Sequence, residues 1–182
     1  MGKIQSVLYS DIEKSAEQEM TDSKPIYDNQ SREVTLEMCN LIAAFFWGEG
    51  TFGIEASYNG KSFNPSCNIW LRDDDILILR EFKERFGGRF QPHPKPSGGG
   101  KPQVAWEINV AEDQLRIGKI LTRSLDLPFR KKKAFIPWFK AVCLKHAKMN
   151  AGFIRKNPPE YIRDLSQLRK KVHLGNQYVK VL

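Results

Sequence analysis

The run Leu41-Ile42-Ala43-Ala44-Phe45-Phe46-Trp47-Gly48-Glu49-Gly50 is apolar or small as far as Gly48 and then delivers one carboxylate between two glycines. It reads as a helix. Ala43, Ala44 and Gly48 are small enough for a second helix backbone to approach closely along that stripe. Gly48 and Gly50 suit a helix end, and a chain leaving there turns abruptly, pushing Glu49 toward whatever lies beneath. Packing alone gives an isolated carboxylate no reason to sit at such a junction. The bland alternative is a buried helix with a glycine stop, and the downstream pattern has to decide between the two.

That pattern is regular. Thr35 or Ser31 can cap the helix. Residues 51–58 alternate, with Phe52, Ile54, Ala56 and Tyr58 on one face and Thr51, Gly53, Glu55 and Ser57 on the other, as in a half-buried strand. Asn59-Gly60 predicts a hairpin turn, and the return strand puts Cys67, Ile69 and Leu71 inward and Ser66, Asn68, Trp70 and Arg72 outward. Residues 73–86 then change period: Ile76, Leu79, Phe82, Lys83 and Phe86 suit an amphipathic helix, Asp73 to Asp75 favour its start through capping and the macrodipole, and Gly87-Gly88 ends it. A second hairpin pairs residues 89–94 with 103–110 across a loop rich in Pro, Gly and Lys. Its buried face is Val104, Trp106, Ile108 and Val110, leaving Gln103, Ala105, Glu107 and Asn109 exposed. Helices follow over 111–125, over 131–149 with a start near Pro128, and over about 158–173.

Charge separates the two ends. Residues 1–35 hold four Lys/Arg against seven Asp/Glu, and residues 111–182 hold seventeen against five. A basic half of this kind wants a polyanion, and nucleic acid fits better than a bilayer, because no uncharged run is long enough to span one. Cys39, Cys67 and Cys143 are odd in number and widely spaced, which excludes a paired zinc motif or a disulfide framework and reads as reduced thiols. Residues 1–35 lack an apolar core of the kind a secretory signal carries, so an intracellular location is expected. They read as a polar N-terminal arm with at most a short helix around residues 11–20.

The small-residue helix with its Gly-Glu-Gly exit resembles the LAGLIDADG motif of homing endonucleases. Three further passages support the resemblance: Ile69 to Asp75, the Phe86-Gly87-Gly88-Arg89-Phe90 turn, and Leu127-Pro128-Phe129-Arg130-Lys131-Lys132-Lys133-Ala134. So does the order helix, strand, strand, helix, strand, strand, helix, over residues 36 to about 147. The resemblance implies an α+β chain with an αββαββα core and a saddle-shaped antiparallel sheet at residues 36–150, followed by a basic C-terminal helix and tail at 151–182. Only one copy of the motif is present, so the single-motif, homodimeric type is expected, with Ala43, Ala44, Trp47 and Gly48 in the dimer interface. Two-fold symmetry then predicts a pseudo-palindromic duplex target of roughly twenty base pairs.

The activity implied is a Mg²⁺-dependent double-strand break in DNA, with Glu49 and Gly48 as the metal positions. Two apposed Glu49 side chains would repel one another unless divalent cations lay between them. A twisted sheet can lie along the major groove, which makes its outward side chains candidates for base contacts: Glu55, Ser57, Asn59, Asn68, Trp70, Arg72, Arg89, Gln91, His93, Gln103, Glu107 and Asn109. Lys61, Lys95 and Lys101, at hairpin tips, are placed for phosphate contacts. The family's water-organising residue falls nearest Asp73, where many members have Gln; a helix cap is the other reading of Asp73. The basic residue that shields the transition state lies within Arg130 to Lys133, as Lys131 or Lys132. Trp47 departs from the Asp that many members carry. The alternative function is a non-cleaving DNA- or RNA-binding protein on the same fold, a splicing maturase or a transcriptional regulator.

Overall fold

Strict alternation along one strand organises the sheet. In β2 (Phe63–Arg72), Phe63, Pro65, Cys67 and Ile69 are buried while Asn64 and Arg72 are exposed, so one face seals a core and the other stays polar. The computed structural model describes residues 2–93, 101–124, 129–150, 157 and 159–177, with the backbone alone for residues 2–8, 93, 129 and 130. The other elements are α1 (Gly2–Thr21), α2 (Leu36–Gly48), β1 (Gly50–Ala56), α3 (Ile76–Phe86), β3 (Arg89–His93), β4 (Gln103–Ile108), α4 (Ala111–Arg123), α5 (Phe129–Asn150) and α6 (Pro159–Gln177). The strands form one antiparallel sheet in the order β1-β2-β4-β3, so the protein is α+β. Between β2 and β4, Cys67 faces Ile108 and Arg72 faces Gln103; between β3 and β4, Arg89 faces Glu107 and His93 faces Gln103. β3 is an edge strand and contains Pro92, a residue tolerated at sheet edges because it has no N–H to give to a ladder.

The chain divides into two compact units, residues 25–51 with 66–127, and residues 1–24 with 52–65 and 128–182. The first is centred on Trp106, which is fully buried. Phe82 lies 5.5 Å from its ring and Phe46 6.4 Å, while Phe45 meets Phe82 edge-on at 5.5 Å. Such tilted and edge-on pairs suit the ring quadrupoles. Trp106 Nε1 donates to the Gly87 carbonyl at 2.9 Å, which satisfies its polar end and pins the turn between α3 and β3. α2 packs on α4, and Gln114 of α4, fully buried, donates to the Ile108 carbonyl at 2.9 Å. Thr35 caps α2 by accepting from the Met38 amide at 3.3 Å, as the sequence predicts.

In the second unit Phe52, Phe135, Trp138 and Phe139 pack with ring centroids between 4.9 and 6.4 Å apart, Phe139 stacking on both Phe135 and Trp138. α6 runs along α5, and α1 packs on α5 through buried Tyr9, Ile12 and Ala16. The Tyr9 hydroxyl donates to Asp164 of α6, and burial, reinforced by that carboxylate, pushes its pKa far up. The carbonyls of Phe52 and Ile54 on β1 accept from Asn176 and Arg169 of α6, at 2.8 and 3.1 Å.

Several expectations are corrected. Residues 2–21 are a helix with a buried stripe, where a polar arm with a short helix was expected. A 3-10 turn over Asp73–Asp75 precedes α3, and neither Arg72 nor Asp75 makes a capping hydrogen bond; Asp74 and Asp75 instead face the Arg72 guanidinium at 3.2 and 3.9 Å. β1 stops at Ala56, and Ala56 and Tyr58 are exposed because the chain is already turning at Ser57, whose carbonyl accepts from Gly60 at 2.8 Å. Val110, expected in the core, is 59% exposed, since it has become the residue that starts α4.

Asp28 carries the segment that leads into α2. Its side chain is buried and accepts from the Gln30 and Arg32 amides at 2.9 and 3.0 Å and from the Arg32 and Arg85 Nε atoms at 3.0 Å. Burial pushes its pKa upward, but these donors outweigh it and the carboxyl sits at about 2. Asp28→Ala should therefore destabilise the fold by roughly 2–3 kcal/mol, the cost of stranding Arg85 and two amides, read as a lower urea midpoint at unchanged slope. Because the folded pKa is depressed, the stabilisation is complete above the ordinary carboxylate pKa and fades as pH falls from about 4 toward 2; wild type and variant should converge in that window.

Candidate nucleic-acid interface

Glu49 is the C-cap of α2, and its amide donates to the Phe45 carbonyl at 2.9 Å while its own carbonyl lies 3.5 Å from the Trp70 amide of β2. The backbone of Glu49 is thus held from both sides, and its side chain is exposed. The turn depends on Gly50. A Cβ there would lie 2.5 Å from the Phe46 ring and 2.6 Å from its Cα, so any side chain would force α2 and β1 apart. Gly48 is different: a Cβ at that position meets no atom within 4 Å.

α2 divides cleanly into two faces. Cys39, Ile42, Ala43 and Phe46 are buried, whereas Leu41, Ala44, Gly48 and Glu49 are exposed and Trp47 is half-buried. Ala43, expected in an interface with a second copy, is only 2% exposed and faces this chain's own core, because it falls on the side that packs on α4. The outer stripe is therefore Leu41, Ala44 and Gly48.

Between Ser66 and Ile108 the outward face of the sheet is a lattice set by register. Asn68, Glu107 and Arg89 form one row, Trp70, Ala105 and Gln91 the next, and Arg72, Gln103 and His93 the third. Ala105 was expected to be exposed and is fully buried, since Trp70 and Gln91 flank it on both sides. The Thr51 hydroxyl donates to Asn68. Glu107 is the hub of the first row: one of its oxygens accepts from Arg89 Nε at 3.0 Å, lies 2.9 Å from Arg89 Nη2, and accepts from Asn109 at 3.4 Å, while the Gln91 amide nitrogen turns to the same carboxylate. Arg72 is held by Asp74 and Asp75, and Lys101 lies 3.8 Å from Asp74. Asp73 is exposed, its amide donating to the Pro102 carbonyl at 3.2 Å.

The remaining candidates lie in the other unit. Glu55 is exposed on β1, and the following turn is tied by Asn59, whose oxygen accepts from Ser57 Oγ at 2.8 Å and the Lys61 amide at 3.1 Å. Lys61 is exposed at that tip. Lys131 and Lys132 are half-buried in the first turns of α5. Lys95 and the side chains of His93 and Arg130 lie outside the described residues. Thr51, which meets Asn68, carries no signal in the strand pattern beyond its outward position, whereas the Arg89–Glu107 pair is foreshadowed by opposite charges on the two strands of the second hairpin.

Among the described residues no three His, Cys, Asp or Glu side chains gather into a metal cluster, and no helix is long and apolar enough to cross a membrane. No family model and no curated protein matches the sequence. Solved structures do resemble the fold. The LAGLIDADG meganuclease I-AabMI, bound to uncleaved DNA, is 21% identical with a TM-score of 0.55 over 72% of this chain and 43% of that one. The LAGLIDADG homing endonuclease I-GzeII, in complex with its DNA target, gives 18% and 0.55 over 72% and 43%. The group I intron-encoded homing endonuclease I-CeuI, complexed with DNA, gives 17% and 0.55 over 76% and 69%. The chain thus spans less than half the length of the first two.

Gly50→Ala tests the turn that holds Glu49. It should lower stability by about 1–3 kcal/mol, as overpacking against Phe46 demands, measured as a shift of the urea midpoint.

Proposed function

We propose that this chain, which has the fold of the LAGLIDADG homing endonucleases, is a site-specific DNA endonuclease that acts as a homodimer and makes a Mg²⁺-dependent double-strand break in a long, pseudo-palindromic duplex. The observation that supports it best is Glu49: an exposed carboxylate whose backbone is held at the end of α2 and bonded to the strand that carries Asn68, Trp70 and Arg72. A solvated surface acid does not need a turn this tight. An exposed carboxylate is a suitable oxygen ligand for a hard cation, with water, phosphate and a second copy's Glu49 completing the shell. Bound there, Mg²⁺ would activate a water and stabilise the leaving oxygen.

The chain's own residues have separable tasks. Glu49, with Gly48 beside it, holds the cation; Asp73, exposed just beyond β2, orients water; Lys131 or Lys132 offsets charge that develops on the phosphate. The outward lattice meets base edges, and Lys61 meets phosphate. The outer stripe of α2 supports self-association. Leu41 is 38% exposed, and among the described residues nothing lies within 4 Å of where a Cβ at position 48 would stand. A small residue at that point lets a second helix backbone approach closely.

Two measurements test this. Wild type and Glu49→Gln are incubated with a randomised duplex library and Mg²⁺, bound duplexes are recovered, and cut ends are sequenced. Both proteins should enrich one sequence, and the variant should cut it about a hundredfold less or worse, as losing several kcal/mol of metal stabilisation implies. Enrichment without cutting by the wild type would refute the nuclease and favour the regulator or maturase. For the dimer, Gly48→Ala should leave urea stability unchanged or raise it by up to about 1 kcal/mol while weakening self-association in sedimentation by about tenfold. An unaltered monomer–dimer equilibrium would remove α2 from the interface.

A further inference from the structure

We infer that Glu107 does not itself read a base but braces Arg89, so that Arg89 presents its guanidinium end-on to a guanine in each half-site. The inference rests on the DNA-binding reading above and concerns the first row of the lattice. Glu107 and Arg89 face each other across β4 and β3, and the two side chains differ in exposure: 15% for Glu107 and 69% for Arg89. The acid lies low against the sheet, and the base stands over it.

The way they meet matters. Arg89 uses Nε and Nη2, one edge of its fork, on a single Glu107 oxygen at 3.0 and 2.9 Å. That leaves the other Nη2 hydrogen and both Nη1 hydrogens outside the ion pair, and the parallel end-on pair matches the O6 and N7 acceptors of guanine in the major groove. An arginine held in this way has surrendered its rotamer freedom before DNA arrives, which reduces the entropy lost on binding. Glu107 is itself crowded by donors, with Asn109 at 3.4 Å on the same oxygen and the Gln91 amide nitrogen on the carboxylate. A carboxylate so occupied has little capacity left to accept from a cytosine amino group, the contact an acidic base-reader would make.

The experiment selects bound duplexes from a randomised library in EDTA, so that recognition is read apart from cleavage, for wild type, Arg89→Ala, Glu107→Gln and the double variant. The wild type should prefer guanine at one position of each half-site by at least about tenfold. Arg89→Ala should abolish that preference. Glu107→Gln should flatten the same position, and the double variant should be no worse than Arg89→Ala alone, the non-additivity expected of two groups acting as one. Placing 7-deazaguanine at that position, which removes N7, should weaken wild-type binding and leave Glu107→Gln binding unchanged. A change of preference at a different position in Glu107→Gln would make Glu107 a reader in its own right and overturn the inference; so would a profile identical to wild type. If the wild type enriches no sequence, the DNA-recognition reading fails and takes this inference with it. If sequences are enriched but the guanine is insensitive to both residues, the inference alone fails.

Discussion

Two residues, Glu49 and Gly50, carry the chain from the end of α2 into β1, and the ring and backbone of Phe46 occupy the space a side chain at position 50 would need. Phe46 is also packed on Trp106, so the close approach at the turn is backed by the centre of the unit's core. Burying a large aromatic ring supplies roughly 2–3 kcal/mol. Part of that energy is spent on holding the chain in this turn. The direction of α2, the path of β1 and the location of the Glu49 carboxylate follow together.

The polar lattice depends on the same core from the other side. Trp106, Val104 and Ile108 seal the inward face of β4, and strand alternation then obliges Ala105 and Glu107 to point outward. Register does the rest: because β3 and β2 flank β4, each outward residue of β4 has a neighbour on both sides. Charge on this face is largely matched internally. Arg89 with Glu107, and Arg72 with Asp74 and Asp75, are ion pairs within the chain before any partner arrives. Exposed pairs of this kind add little to stability. Their physical effect is on orientation.

Sequence pattern made the sheet and the motif helix legible, because both rest on short-range periodicity. The cap at Thr35, the turn at Asn59-Gly60 and the outward set Asn68, Trp70 and Arg72 follow from local chemistry alone. What failed was tertiary. The stripe Tyr9, Ile12 and Ala16 has helical spacing, but one alanine and one tyrosine among many charges give a weak apolar signal, and its burial against α5 cannot be seen from residues 1–35. Ala43 and Ala44 are chemically alike, and only the packing of α4 decides which is covered. The bracing of Arg89 by Glu107 needs the register of a hairpin whose connecting loop hides how its strands align.

Both margins of the sheet carry groups that interrupt further strand pairing. On β1, the carbonyls of Phe52 and Ile54 are already taken by Asn176 and Arg169; on β3, Pro92 cannot donate. An incoming extended peptide would find two acceptors missing from the first edge and one donor missing from the second. Strand addition at these positions is thereby hindered, while the polar outward face of the sheet is left uncovered by the chain's own edge contacts.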